Sequence, residues 1–289
     1  MNNSIIEKLE KSIDSDNKTK SSHWKKYLHS NVDYKNPFEF LGFGSYSNKT
    51  LLTSFFHYIF SILIFGNNIF KSETYKKYKF IFDKSNRQIN VDTIRHIFTF
   101  DMLKSISPPS NVCIIGDGKC NFLIGNLLTF PKSRIFSINL SQTLINDYLI
   151  IKESKILNDS EIQVIESEHD EILKGKKLIL IPSHLKKYLV NKDIDLFVNI
   201  ASFQEMTMDE IRNYFRIIKS NNSLFYCCNR EYKKLLGGEE LYFDNYPWGN
   251  NKKEFNEDCP WHQKTYQKKY PFIRKYDGNT KHCLIDFSL

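Results

Sequence analysis

The sequence predicts an α/β protein in which a doubly wound, mainly parallel sheet follows a helical N-terminal region. Residues 111–126 read as a strand, a glycine turn and a helix, and apolar strand-like runs then alternate with helical patterns. Residues 1–108 carry helical periodicity and turn signals without such a repeat. We therefore expect a mainly helical cap, 1–108, and a sheet domain, 109–289, with an aromatic-rich insertion at 229–270.

The composition fits a large globular chain with excess positive charge. The 289 residues are 41% hydrophobic, and 41 basic against 33 acidic side chains give a formal net charge of +8. Basic pairs are scattered and form no long tract, so we expect solvated faces and an anionic substrate, not nucleic acid. Six cysteines show neither a disulfide framework nor metal-ligand spacing, and the polar N-terminus gives no secretory signal. We expect no metal and a cytoplasmic location, and we leave a homo-oligomer open.

Helical patterns in the cap lie at 51–65, 72–79 and 91–106, with a turn at Asn36 and Pro37 between them and the N-terminus. The run at 51–65 is the most hydrophobic stretch of the chain, but it is short for a bilayer span. We therefore expect a buried helix here and no stable membrane insertion.

The sheet domain contains five helix-linked strands. Strands are predicted at 112–115, 134–139, 196–200 and 223–228, and the third strand at either 162–165 or 177–181, of which 178–181 has the stronger apolar run. Helices are predicted at 142–156 and 208–218. The last two strand-like runs, 272–276 and 282–287, are expected to form a terminal antiparallel hairpin. This layout is typical of a Rossmann-like class I methyltransferase sheet, whereas a dehydrogenase would continue with further strand–helix units.

The glycine turn indicates a nucleotide-like ligand at the carboxyl end of the first strand. Gly116, Asp117 and Gly118 allow the backbone to approach a ligand closely. Asn121 stands where a dinucleotide fingerprint has its third glycine, which disfavours a dinucleotide. Asn139 ends the second strand where an acid is usual, although its amide can still bind ribose hydroxyls. A purely structural turn is the alternative.

A second polar group follows the fourth strand, at the sheet edge where ligands bind. Asn199, Ser202, Gln204 and Glu205 should emerge beside the glycine turn. Glu205 is a candidate general base or acceptor of a substrate hydroxyl. The alternative is that these residues only begin the next helix.

The C-terminal third mixes aromatic rings with polar side chains, a combination that suits sugars. Rings stack on the apolar faces of pyranoses, and polar groups bind the hydroxyls. The candidate residues are Arg230, Tyr246, Trp248, Trp261, His262 and Asp277. An irregular aromatic core around turns is the alternative for each ring.

The chain resembles the sugar O-methyltransferases, a class I family that uses S-adenosylmethionine, in a series of segments: IGDGKCNFLIGNLL, INLSQTLINDYL, DLFVNIASFQEM, CPWHQKTY and YPFIRKYDG. The resemblance implies S-adenosylmethionine as cofactor, with Gly116, Asp117 and Gly118 at its methionine and ribose and Asn139 at the ribose. Ile114 and Asn139 depart from the pattern, because both stand where relatives often carry an acid.

These observations lead to one hypothesis, methyl transfer from S-adenosylmethionine to a sugar hydroxyl of a nucleotide sugar or surface glycan. Glu205 and His262 are its candidate bases, and Asp277 would orient the acceptor or the base. The candidate cofactor site is Gly116, Asp117, Gly118, Asn121, Asn139, Asn199 and Ser202, and the candidate acceptor site is Gln204, Arg230, Tyr246, Trp248, Trp261 and Asp277. The alternatives are a degenerate binding module without catalysis and a nucleic-acid methyltransferase.

Overall fold

The computed structural model describes residues 4–28, 50–106, 108–267 and 270–288. The turn predicted at Asn36 and Pro37 lies outside these residues. The strands are β1 (Asn111–Ile115), β2 (Arg134–Asn139), β3 (Ile162–Val164), β4 (Leu178–Pro182), β5 (Leu196–Ile200), β6 (Leu224–Arg230), β7 (Tyr232–Lys234), β8 (Glu240–Tyr242), β9 (Lys253–Asp258), β10 (Lys264–Tyr266), β11 (Ile273–Lys275) and β12 (Thr280–Asp286). The helices are α1 (Ser4–Glu10), α2 (Ser22–Tyr27), α3 (Leu51–Phe65), α4 (Glu73–Lys84), α5 (Val91–Leu103), α6 (Asn121–Thr129), α7 (Ser141–Ser154) and α8 (Met208–Ser220).

The main sheet has the strand order β3-β4-β2-β1-β5-β6-β12-β9. All neighbouring pairs from β3 to β6 are parallel, whereas β12 runs antiparallel to both β6 and β9. The last strand, β12, thus lies antiparallel between β6 and β9, at one end of a doubly wound sheet. This confirms the predicted α/β fold with a Rossmann-like, mostly parallel sheet.

Two details of the sheet differ from the prediction. Both alternatives for the third strand are strands, because β3 extends the sheet beyond β4. The run at 272–276 does not form a hairpin with β12: it contains β11, which pairs with β10, and β12 instead pairs with β9. Strand β9 reads KEFNED and is largely exposed at the sheet edge, so it lacks the apolar signal by which strands were found.

The two faces of the sheet bury separate halves of the core. Alternate residues of each strand point to opposite faces, so Ile114 and Cys228 belong to one apolar cluster and Cys113 and Cys227 to the other. Helices α4 to α7 cover the first face. Helix α8, with Ile211, Phe215 and Ile218, covers the second face. The helices α1 to α5 all precede β1, and the division of domains at 108 stays a prediction.

Helix α3 has the predicted bounds but not the predicted burial. Leu51, Leu52, Phe55 and Leu63 are 93%, 77%, 62% and 63% exposed, and Ser61 is its buried residue. One side of α3 rests on β10, where His57 Nδ1 lies 2.9 Å from the Tyr266 hydroxyl oxygen. Strong hydrophobicity therefore predicted burial wrongly here. No helix in the described ranges combines the length and apolarity that crossing a bilayer requires.

Candidate functional site

A cavity of about 420 Å³ opens at the carboxyl ends of β1, β2 and β5. This size lies within the range of about 300–1,000 Å³ that is typical of small-molecule sites. The sequence-predicted residues that line it are Gly116, Asp117, Gly118, Asn121, Asn139, Ser202, Gln204, Glu205, Arg230 and His262. The structure therefore brings residues from the glycine turn, the end of β5 and the C-terminal third to one place.

The glycine turn packs directly on the β5 loop, which we define as residues 201–205. Gly116 has φ of +76°, and a Cβ atom built on it would lie 1.9 Å from Ser202 Oγ. Both the backbone conformation and the space therefore require glycine. Its N–H donates to the Ile138 carbonyl at 3.0 Å, which joins the turn to β2 as well.

Asp117 and Asn121 direct their side-chain oxygens at the protein itself. Asp117 Oδ2 accepts from the Leu123 N–H at 2.6 Å, and Asn121 Oδ1 accepts from Arg87 Nη2 at 2.8 Å. Burial raises the pKa of Asp117 to about 6, although the hydrogen bond from Leu123 and the charge of Arg87 oppose this shift. These contacts fix the shape of the turn around the cavity.

An acidic side chain from a distant part of the sequence lies at the corner after β2. Asn139 uses its amide oxygen to accept from the Leu140 N–H at 2.9 Å. Asp16, from the N-terminal segment, accepts from the Ser141 N–H at 2.6 Å and from Ser183 Oγ at 2.9 Å. Asp16 is 1% exposed, so its carboxylate anchors the N-terminal segment to this corner and does not itself face the cavity.

Strain and buried amides shape the β5 loop. Ala201 has φ of +58°, a left-handed conformation that is uncommon outside glycine and that clusters at functional sites. Asn199 does not line the cavity: its amide donates to the Ile115 carbonyl at 3.0 Å and accepts from the Phe203 N–H at 3.1 Å. We therefore assign Asn199 to positioning the loop. Gln204 similarly accepts from the Arg230 N–H at 2.9 Å.

Glu205 is the carboxylate at one end of the cavity. Burial raises its pKa to about 7, although the nearby charges of Lys233 and Arg230 oppose the shift. His23 Nε2, from α2, lies 3.7 Å from Glu205 Oε2. Burial lowers the pKa of His23 to about 4, so His23 is neutral at pH 7. Glu205 is therefore poised to exchange a proton near neutral pH.

Arg230, Tyr276 and two histidines, His96 and His262, also line the cavity. The Arg230 guanidinium lies over the Tyr276 ring at 5.2 Å, and its Nε atom is buried without a hydrogen-bond partner among the described residues. His96 Nδ1 is likewise buried and unsatisfied, and burial lowers the pKa of His96 to about 4. Buried polar atoms without a protein partner are costly, so these atoms indicate a polar ligand.

Behind His262 lies a cluster of thiols. His262 Nδ1 lies 3.1 Å from Cys259 Sγ and 3.6 Å from Cys228 Sγ. Burial raises the pKa of the Cys259 thiol, but hydrogen bonds from Cys228, His262 and His282 outweigh burial and hold that pKa well below its usual range. The linear spacing gave no sign of this cluster, because Cys228 comes from a different strand.

Four predicted acceptor residues do not line the cavity that the described residues form. Tyr246 and Trp248 are 3% and 4% exposed and pack against Phe215 and Phe243 in the core on the α8 face. Trp261 stacks on Phe98, with ring centroids 5.8 Å apart. Asp277 is exposed and pairs with Arg274. The expected aromatic wall from Tyr246, Trp248 and Trp261 is therefore absent from this cavity.

Several cavity residues were not predicted. Trp24 and Ser21 come from the N-terminal segment, and His96, Tyr276 and Lys233 come from α5 and the C-terminal third. Trp24 lies in the segment SHWKKY. No local pattern shows that it folds over the sheet, because that packing depends on the distant Asp16 anchor.

Comparisons with known proteins give similarity in structure only. No family model matches the chain, and no curated protein matches it. A protein described as an O-methyltransferase from Nostoc punctiforme aligns with a TM-score of 0.44 and 10% identity, over 80% of this chain and 72% of that one. TrmK from M. capricolum, in complex with S-adenosylhomocysteine, aligns with a TM-score of 0.39 and 13% identity, over 65% of this chain and 67% of that one. A protein described as an RNA methyltransferase from Pyrococcus horikoshii aligns with a TM-score of 0.44 and 10% identity, over 74% of this chain and 98% of that one. The fold assignment rests on the strand order of the sheet itself.

Proposed function

We propose that this protein is an S-adenosylmethionine-dependent O-methyltransferase that acts on a sugar hydroxyl, of a nucleotide sugar or a surface glycan. The observation that carries the proposal is Glu205, a carboxylate with a pKa of about 7 in the same cavity as the glycine turn. A hydroxyl acceptor needs a base that can take its proton, and a base with a pKa near the working pH is the most effective.

The proposed cofactor site lies at the glycine turn and the β2 corner. S-Adenosylmethionine, when bound, supplies a methyl group that its sulfonium already activates. Gly116 and Gly118 would border it, Asn139 Nδ2 would face its ribose, and Ser202 would close the site from the β5 loop. Asp117, Asn121 and Asn199 would act indirectly, because their side chains hold the turn and the loop in place.

The proposed acceptor site lies between Glu205 and Arg230. Glu205 would accept the hydroxyl proton, while Arg230 and Lys233 would attract an anionic part of the substrate such as a diphosphate. Trp24 lines the cavity and would offer the ring face for a sugar that Tyr246 and Trp248 do not. Alignment of the acceptor supplies most of the remaining rate enhancement.

His262 becomes the weaker of the two candidate bases. Its Nδ1 atom faces the Cys228 and Cys259 sulfurs, which leaves only Nε2 for the cavity. Burial also lowers the pKa of His262. We therefore assign proton transfer to Glu205 and propose that His262 forms part of the cavity wall.

A transfer assay tests this proposal. Purified protein is incubated with labelled S-adenosylmethionine and three sets of acceptors: nucleotide sugars, oligosaccharides and RNA. We expect label on a carbohydrate. Transfer to RNA, with binding that weakens steeply with salt, would replace the sugar acceptor with nucleic acid. Donor binding without transfer to any acceptor would favour the degenerate binding module, and no donor binding would refute the proposal.

A further inference from the structure

The thiol cluster behind the cavity has the composition of a zinc site. Cys228 Sγ, Cys259 Sγ and one nitrogen of His262 all lie within 4.8 Å of one another, and all three residues are buried. Thiolate and imidazole are the ligands that zinc prefers in proteins. Three such groups at one buried point form a ligand set from two separate parts of the chain, β6 and the Cys259–His262 turn.

The distances fit tetrahedral coordination. Zinc–sulfur bonds of about 2.3 Å and zinc–nitrogen bonds of about 2.0 Å at tetrahedral angles place sulfur and nitrogen about 3.5 Å apart. His262 Nδ1 lies 3.1 Å from Cys259 Sγ and 3.6 Å from Cys228 Sγ. Little movement of these side chains would therefore be needed to bind the ion.

The backbone holds the three ligands in this arrangement independently of a metal. Cys228 lies in β6 opposite His282 of β12, and the Cys259 N–H donates to the Thr280 carbonyl at 2.8 Å. The His262 N–H donates to the Cys259 carbonyl at 3.1 Å, which closes the turn that presents both side chains. The spacing within this turn, Cys-x-x-His, is short enough for both residues to bind one ion.

We propose that Cys228, Cys259 and His262 bind a zinc ion. Such an ion would join β6 to the turn after β9 and would fix the His262 ring at the cavity wall. Three ligands leave a fourth tetrahedral position, which water can fill. This site is separate from the proposed methyl transfer and stands even if that function fails.

The metal content of the full chain tests the proposal. Protein produced without a histidine tag is dialysed against zinc and then buffer, and metal is measured by mass spectrometry. We expect roughly one zinc ion per chain. Cys259→Ala and Cys228→Ala should lose it. Cys283→Ala should keep it, because Cys283 is buried on the opposite face of the sheet.

A second measurement on the unmodified chain covers the case in which a site variant fails to fold. Cobalt added to the zinc-free protein should give the charge-transfer absorption of thiolate ligands, and zinc should displace it. Absence of both zinc and this absorption would overturn the proposal. So would equal zinc loss in Cys283→Ala, or a Cys228–Cys259 disulfide in the metal-free protein that zinc does not prevent.

Discussion

The β5 loop and the aromatic segment at 243–248 both attracted a functional prediction, yet they differ in what surrounds them. In the β5 loop, Gln204 bonds to the backbone while Glu205 is left at the cavity. In the aromatic segment, Trp248 Nε1 donates to the Phe243 carbonyl at 2.9 Å, and the rings pack on one another. Residue type did not distinguish the segment that lines the cavity from the one that is buried in the core. Position did, because only the β5 loop lies at the carboxyl edge of the parallel strands.

The sharpest test of this contrast is Glu205→Gln, which keeps the shape of the side chain and removes the base. We expect kcat for methyl transfer to fall by about 10²- to 10⁴-fold, because a positioned general base contributes that much. Affinity for S-adenosylhomocysteine should be unchanged in calorimetry. Glu240→Gln, on the exposed strand β8, serves as the control. An unchanged kcat in Glu205→Gln would remove Glu205 from the chemistry.

Trp248→Ala, in the aromatic segment, should lower stability and leave cofactor affinity unchanged. Removing a buried ring of this size costs about 3–5 kcal/mol in the free energy of unfolding, measured by urea denaturation. The folded fraction should bind S-adenosylhomocysteine as tightly as the unmodified protein. If affinity fell while stability held, Trp248 would belong to the site and the contrast would fail.

The pH dependence of stability distinguishes Glu205 from an ordinary surface carboxylate. The folded-state pKa is raised from 4.5 to about 7, so the stability associated with the protonated form is complete below pH 4.5 and is lost as the pH rises through 7. Above pH 7 the protein carries the full cost of a buried charge, about 3 kcal/mol for such a shift. Glu205→Gln should therefore be more stable than the unmodified protein at pH 8 by this order and no more stable at pH 4. Thermal unfolding at both pH values checks this, and equal differences would contradict the raised pKa.

The smallest expected effect is that of Trp24→Ala. Trp24 lines the cavity and is only half-buried, so it should contribute to binding more than to folding. Loss of a stacking ring should raise KM for the sugar acceptor by about 2- to 12-fold, equivalent to about 0.5–1.5 kcal/mol. Tyr242→Ala, an exposed ring on β8, is the matched control. A large loss of stability without a change in KM would place Trp24 with the core rings.

The sequence was informative where local patterns carry the structure. The glycine turn, the strands β1, β2, β5 and β6, and the existence of the last strand all follow from apolar periodicity and turn residues, but the partner predicted for the last strand was wrong. The same periodicity missed β9, because an exposed edge strand has few apolar residues to reveal it. It also predicted burial for α3, whose exposure depends on which neighbours pack against it.

The candidate site was less predictable, since it depends on contacts between distant segments. Asp16 reaches the β2 corner from the N-terminal segment, and Cys228 meets Cys259 and His262 only through sheet pairing. The spacing of these residues along the chain predicts neither the Asp16 contact nor the contact of Cys228 with Cys259 and His262. Trp248 was assigned to the site from composition alone, whereas Glu205 was assigned from its position after the fourth strand, and only the second assignment lies at the cavity.

Calorimetric titration of the unmodified protein with S-adenosylhomocysteine tests whether this cavity is a methyl-donor site. We predict micromolar binding that is weakened in Gly116→Ala, because the added Cβ would lie 1.9 Å from Ser202 Oγ and would push the glycine turn from the β5 loop. Absence of binding at millimolar concentrations in the unmodified protein would contradict the assignment, and equal affinity in the two proteins would place the cofactor elsewhere.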